Sequence, residues 1–145
     1  MRKDLIINDK KTKGRICTIK LPSIPWALTE DNDGVIYAST WDVHYPTGNV
    51  YYYNPKKDTI AYSVNSLPNN GYWCLYFDSL ENQLWAGSIN NGLFCVSLKQ
   101  DIQYFDKKFF HLNSASIEEI LIDKENRTWV GTNTSISILE NNLDF

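Results

Sequence analysis

The chain has 145 residues, a formal net charge of −3 and a high aromatic content of 14%. Its length fits one domain. Acidic and basic residues are interspersed without a dominant basic patch, which argues against a nucleic-acid partner, and no apolar stretch approaches the ~20 residues of a membrane span.

The N-terminal segment has two apolar runs separated by a polar turn. Residues 4–8 and 15–20 predict two strands, which residues 9–14 connect. After the second run, Leu21-Pro-Ser matches Leu67-Pro-Asn later in the chain. The chain is therefore predicted to begin in the middle of a repeating unit. The apolar run near Met1 is too short for a secretory signal peptide.

Three copies of one pattern follow this segment. Each copy has an apolar strand that ends in Asp, a turn closed by Gly or Asn, and an aromatic residue followed by small residues. The copies span residues 26–40, 73–88 and 117–132. A repeat of this length with several short strands is typical of a β-propeller blade. The aromatic residues, at intervals of 48 and 44 positions, are Tyr37, Trp85 and Trp129.

The repeat predicts an all-β fold, a β-propeller fragment of about three four-stranded blades plus a partial N-terminal blade. Within a single propeller segment, 1–145, the partial blade is 1–21, two blades are 22–66 and 67–112, and an incomplete blade is 113–145. Closed rings have roughly 4–8 blades. We therefore expect the remaining blades to come from a longer chain or from a second copy.

The repeated polar residues fit tight turns. An Asp carboxylate accepts hydrogen bonds from backbone N–H groups two or three residues on, and we expect this of Asp31, Asp78 and Asp123. Gly and Asn best tolerate the left-handed conformation that closes such turns. The residues at this closing position are Gly34, Asn82 and Asn126.

The apolar residues of the repeat are expected to pack blade against blade. The aromatic anchors should fill the gap between blades, while small residues such as Gly87 and Gly131 allow close approach. The three cysteines, Cys17, Cys74 and Cys95, match no metal motif, and we interpret them as small buried core residues. Ser114 could cap a short helix, but alignment with the other copies predicts a strand after it.

Ligand contact is expected at the loop after the second strand of the first blade, residues 41–48. It is longer than its counterparts, and an insertion at one blade's rim is where function concentrates. Its aromatic rings and flanking polar groups suit sugar stacking. The alternatives are packing on a neighbour or another domain and, for the asparagines, simple turn geometry. The candidate ligand-binding residues are Trp41, Asp42, His44, Tyr45, Asn90, Asn91 and Asn133.

The third copy, residues 120–132, resembles the two-component regulator propeller repeat. The second copy matches with Ser88 in place of Thr, and the first has Tyr37 for Trp and Ser39 for Gly. In that family, the repeats form seven-bladed propellers in the periplasmic part of hybrid two-component sensors of Bacteroides-type bacteria, which detect oligosaccharides. The resemblance implies a non-enzymatic, periplasmic sensor segment with an oligosaccharide ligand.

Two other functions remain open. The chain lacks the Gly-x-Ser-x-Gly, Walker, His-Glu-x-x-His and Cys-x-x-Cys motifs, so we expect no enzyme activity, cofactor or metal. A propeller glycosidase or lyase would need converging carboxylates, for which Asp42 and Glu118 are candidates. A self-assembling or partner-binding module would pair its exposed strand edges with another chain, and a homodimer would then close one ring.

Overall fold

The structure is a computed structural model that describes residues 4–9, 14–43, 48–57, 62–64, 67–68, 70–97, 112 and 114–139. For residues 4–9, 14–17 and 62–63 it describes the backbone alone. Throughout these ranges the regular secondary structure is β-strand, and no helix occurs in them. The prediction of an all-β chain is confirmed for this part of the sequence.

The described residues form twelve strands in four antiparallel sheets. The strands are β1 (Asp4–Asp9), β2 (Gly14–Lys20), β3 (Ile24–Glu30), β4 (Ile36–Trp41), β5 (Val50–Tyr53), β6 (Tyr62–Ser63), β7 (Tyr72–Asp78), β8 (Gln83–Ser88), β9 (Leu93–Ser97), β10 (Ile117–Ile122), β11 (Thr128–Thr132) and β12 (Ile136–Leu139). The N-terminal hairpin is β1–β2, the first sheet β3–β6, the second sheet β7–β9 and the third sheet β10–β12.

Consecutive sheets stand side by side with their first strands together. Strand β3 contacts β7, and β7 contacts β10. Within each sheet the strand order follows the chain, as in a propeller blade. Strand β10 confirms the strand predicted after Ser114. The strand expected at residues 102–105 lies outside the described residues, and the blade boundaries stay a prediction.

Apolar side chains fill the spaces between neighbouring sheets. Tyr37 from the first sheet and Trp85 from the second each belong to one of these two cores. Between the first and second sheets lie Tyr37, Val50, Val64, Leu67, Tyr72, Leu84, Ala86, Phe94 and Val96. Between the second and third sheets lie Cys74, Trp85, Leu93, Cys95, Ile117, Ile120 and Val130.

The cysteines of the second core are buried, as predicted. Burial raises the pKa of both the Cys74 and the Cys95 thiol to about 12. They therefore stay protonated at neutral pH and behave as small apolar groups. The side chain of Cys17 lies outside the described part of the chain.

The Asp at the end of each first strand accepts hydrogen bonds from backbone N–H groups two and four residues on in the first and third sheets, and two and three residues on in the second. The carboxylates of Asp31, Asp78 and Asp123 each accept two backbone N–H hydrogen bonds from the turn, at 2.9–3.2 Å. The closing residues all have positive φ. These are Gly34 at 82°, Asn82 at 55° and Asn126 at 62°.

The aromatic anchor also bonds to the turn in the first and third sheets, which the sequence did not indicate. The Tyr37 hydroxyl donates to Asp31 Oδ2 at 3.2 Å, and Trp129 Nε1 donates to Asp123 Oδ2 at 2.7 Å. Arg127 Nε donates to the same Asp123 oxygen at 2.8 Å. The Trp129 indole N–H and the Arg127 backbone N–H hold the pKa of Asp123 well below its usual range.

Close approach of neighbouring sheets occurs at Gly87. A methyl group there would overlap Cys74 Sγ and lie 2.6 Å from Ile117 Cγ2 of the third sheet. Gly131 holds the same position in the third sheet, because Gly87 pairs with Cys74 and Gly131 with Glu119. A methyl group at Gly131 would have Glu119 as its nearest described neighbour, at 3.6 Å. Gly87 therefore lies in a close contact between two sheets, whereas the described residues make no such contact at Gly131.

Most of the exposed large apolar side chains lie on the two outer faces of the stack of sheets. Ile136 is 74% and Ile138 47% exposed, whereas Leu93 and Cys95, their counterparts in the second sheet, are 0% and 1% exposed. In the described ranges, the exposed large hydrophobic residues are Trp26 and Leu28 on β3, Leu121 on β10, Ile136 and Ile138 on β12, and Val43 and Leu80 in loops. These two faces have the composition of interfaces.

We expect Gly87→Ala to lower the free energy of unfolding by about 1–3 kcal/mol, because the added methyl overpacks the contact with Ile117. Gly131→Ala is the matched control and should change it by less than about 0.5 kcal/mol. Urea denaturation followed by Trp fluorescence measures both. Equal losses in the two variants would contradict the difference between the covered and open faces.

We expect Trp129→Phe to raise the pKa of Asp123, because it removes the indole donor. The pKa of Asp123 is lower in the folded wild type than in the unfolded chain, where it is about 4. The ionised carboxylate therefore stabilises the fold fully above a pH of about 4, and this contribution is lost as the pH falls below that value. The stability difference between wild type and variant should therefore shrink in acid. Carboxyl ¹³C NMR titration and denaturation at several pH values measure this, and an unchanged Asp123 midpoint would refute it.

Candidate binding surface at the tryptophan rim

Three tryptophans from two sheets form one cluster at the edge where the first strands begin and the second strands end. We call this edge the tryptophan rim. The ring centroids of Trp26 and Trp73 are 4.8 Å apart, those of Trp41 and Trp73 4.7 Å, and those of Trp26 and Trp41 5.7 Å. The rings are tilted or edge-to-face, the favourable geometry for aromatic pairs.

A β-bulge places the first two of these rings. The pairing of each first strand with the second strand shifts register at one equivalent position, which leaves Trp26, Trp73 and Glu118 out of the ladder. Bulges bend a strand and re-aim a side chain. The three bulges therefore set two indoles and one carboxylate at corresponding places on adjacent strands.

The third ring is held by the backbone around it. Trp41 ends β4, and its carbonyl accepts a hydrogen bond from Trp26 Nε1 at 3.2 Å. A methyl group on Gly71 would overlap both the Trp41 ring and Ile89, so only glycine lets the ring lie here. The Gly71 carbonyl in turn accepts the Ile89 N–H at 3.0 Å. Trp41 thus packs against the residues just before β7 and just after β8 in the second sheet.

The cluster offers one open aromatic surface. Trp26 is 48% exposed, whereas Trp41 and Trp73 are partly buried beneath it. Other segments of the rim carry uncharged polar side chains, such as Asn90 and Asn133. Aromatic rings with a few hydrogen-bonding groups are the usual lining of small-ligand sites.

The sequence-predicted site residues lie in different surroundings. Trp41 belongs to the cluster, but Asp42 is only 5% exposed. Asn90 is exposed, the Asn91 N–H donates to Ser88 Oγ at 2.8 Å, and Asn133 Oδ1 accepts the Ser114 hydroxyl at 2.7 Å. The predicted ligand contacts His44 and Tyr45 lie outside the described residues.

Sequence reasoning missed Trp26 and Trp73 as site residues. Both open a copy of the repeat, and a Trp at that position in two copies was an available signal. Simple strand alternation, however, does not reveal the bulge that turns these side chains toward the rim.

Neither a metal cluster nor a membrane helix is found in the part of the chain that the structure describes. No three His, Cys, Asp or Glu side chains there are grouped to hold a metal ion. Those ranges also hold no helix long and apolar enough to cross a membrane.

Comparison with known proteins gives structural similarity alone. No family model matches the chain, and no curated protein matches it. The extracellular domain of the hybrid two-component system BT3049 from B. thetaiotaomicron is similar at 17% identity and a TM-score of 0.72, over 99% of this chain and 20% of that one. The extracellular domain of BT4673 from the same organism is similar at 22% identity and a TM-score of 0.66, over 99% and 18%.

A third solved structure is PorZ, a surface component of the type-IX secretion system of Porphyromonas gingivalis. Its identity is 15% and its TM-score 0.60, over 90% of this chain and 18% of that one. This chain therefore spans about a fifth of the length of the proteins it matches. Its fold is that of a segment within the extracellular domains of hybrid two-component systems.

Proposed function

We propose that this chain is a non-catalytic sensor segment in the periplasmic part of a hybrid two-component system, and that its tryptophan rim contacts an oligosaccharide. The observation that carries the proposal is the open indole of Trp26 above Trp41 and Trp73. The tryptophan rim lies on a fold that is similar to extracellular domains of such systems.

The two outer faces support placing the segment in a larger propeller. Ile136 and Ile138 are exposed on the outer face of the third sheet, and Leu28 is exposed on strand β3, which the N-terminal hairpin contacts. A sheet of this kind buries its apolar faces only against neighbouring sheets. We propose that these sheets are blades, about three with a partial N-terminal one, and that further blades cover the outer face of the third sheet and complete the N-terminal side.

The chemistry of the rim suits sugars. A pyranose ring has an apolar face of C–H groups that can lie on an indole, and hydroxyls at its edge that bond to amides. On the rim, Trp26 is the candidate to stack on the apolar face of the sugar, and the side chains of Asn90 and Asn133 are the candidates to bond to its hydroxyls. The mutual contacts of the three rings fix the platform before a ligand arrives, which limits the entropy lost on binding.

We expect Trp26→Ala to weaken binding of a neutral hexose trisaccharide at least tenfold, because the stacking surface is lost. Maltotriose, cellotriose and chitotriose serve as probes, and titration calorimetry measures the affinity. Leu28→Ala, an exposed apolar residue two positions along the same strand, is the control and should leave affinity unchanged. If wild type and Trp26→Ala bind every sugar with equal affinity, the proposal that the tryptophan rim contacts the oligosaccharide is wrong.

The exposed faces also favour a second candidate function, a module that assembles with another chain. In this case the chain should form a dimer that persists on dilution to micromolar concentration. Ile136→Lys combined with Ile138→Lys should dissociate it, because the charges face the buried contact. Leu80→Lys, in an exposed turn, is the control. Sedimentation showing a concentration-independent monomer would exclude self-assembly.

A further inference from the structure

The described part of the tryptophan rim has an unbalanced charge. Its described segments are 21–27, 40–43, 48–49, 70–73, 88–92, 114–119 and 132–135. Together they contain three carboxylates, of Asp42, Glu118 and Glu119, and no Lys or Arg. Lys20 lies just before the first segment, in the N-terminal hairpin. Proteins usually recognise carboxylates and sulfates with Arg or Lys side chains, so these rim segments lack the usual means of holding an anion.

The opposite edge of the sheets differs in this respect. The turns there carry both signs, with Lys56, Lys57, Lys124 and Arg127 beside several carboxylates. The lack of basic residues is therefore a property of the described rim segments and is not shared by the described turns at the opposite edge.

Glu118 is the rim carboxylate best placed to meet a ligand on the indoles. It occupies the bulge position of the third sheet, as Trp73 does in the second. The sheets touch beside both bulges, because Cys74 Sγ lies 3.8 Å from the Ile117 carbonyl oxygen. The peptide that leads into Glu118 therefore lies next to the residue that follows Trp73.

The Glu118 side chain is exposed at this place. Its Oε1 accepts a hydrogen bond from the Ser116 hydroxyl at 3.1 Å, which orients the carboxylate without neutralising it. The neighbouring Glu119 is exposed as well, but it pairs with Gly131 within the third sheet and packs beside it. Asp42 is buried. Of these three carboxylates, Glu118 is the one that is exposed at the bulge position corresponding to Trp73.

We infer that Glu118 makes the rim selective for uncharged saccharides: the row Trp26, Trp73, Glu118 binds neutral rings and rejects anionic ones such as uronates. This inference rests on the proposed function, because it describes the ligand of the same rim. Two like charges 4–6 Å apart in water lower affinity about three- to sixfold. Salt screens this repulsion, so we expect the selectivity at low ionic strength and its loss at high ionic strength.

The test compares one sugar in two charge states. The neutral trisaccharide that binds best among maltotriose, cellotriose and chitotriose is oxidised at C6 to the matching uronate, and both forms are titrated at 20 mM and 500 mM salt. Wild type should bind the neutral form at least threefold more tightly at low salt. Glu118→Gln keeps the hydrogen-bond acceptor and removes the charge, so the ratio should fall toward one. Glu81→Gln removes a charge from the opposite edge and should keep the wild-type ratio.

The outcomes separate the two proposals. If none of the trisaccharides binds, the saccharide site of the proposed function is lost, and the charge selectivity with it. If the neutral sugar binds but the uronate binds equally well, the selectivity alone is overturned. It is also overturned if Glu118→Gln and Glu81→Gln change the ratio alike, since the effect would then reflect net charge. Circular dichroism of both variants checks that they fold as the wild type does.

Discussion

Everything in this fold depends on the contact of one sheet with the next. A three- or four-stranded sheet has no interior of its own, so its apolar side chains must be buried against a neighbour. The contact tightens at Gly87, where the methyl group of Ile117 comes close to the backbone. The contact of the first sheet with the second brings Trp73 against Trp26 and Trp41. The candidate site is therefore a product of sheet packing and would disperse if the sheets separated.

The turn carboxylate links local structure to this packing. Asp123 accepts hydrogen bonds from its own turn and from the anchor Trp129 across the hairpin. The ring that will face a neighbouring sheet is thus oriented by a bond formed within its own sheet. Asp31 and Tyr37 repeat the arrangement with a phenol in place of an indole, because either group supplies a donor of suitable reach.

Sequence pattern predicted the fold better than the site. The Asp turns, the positive-φ residues and the anchors follow from the local chemistry of the repeat, so alignment of three copies found them. The bulges at Trp26, Trp73 and Glu118 depend on how two strands pair, which alternation does not encode. The aromatic cluster also requires contact between two sheets, which the sequence does not show. Only Trp41, at the start of the long loop predicted for residues 41–48, was therefore identified from the sequence. Glu118 was considered for catalysis, whereas its place on the rim suits charge selection.

The recurring bulge has an evolutionary consequence. A residue that stands outside the ladder keeps no partner in register, so its replacement leaves the hydrogen bonds of the sheet intact. The bulge position is occupied by a tryptophan in two sheets and by a glutamate in the third. Single substitutions at the bulge position can therefore change which ligand the surface recognises without changing the pairing of the strands. Repeats of this kind can diversify one unit at a time.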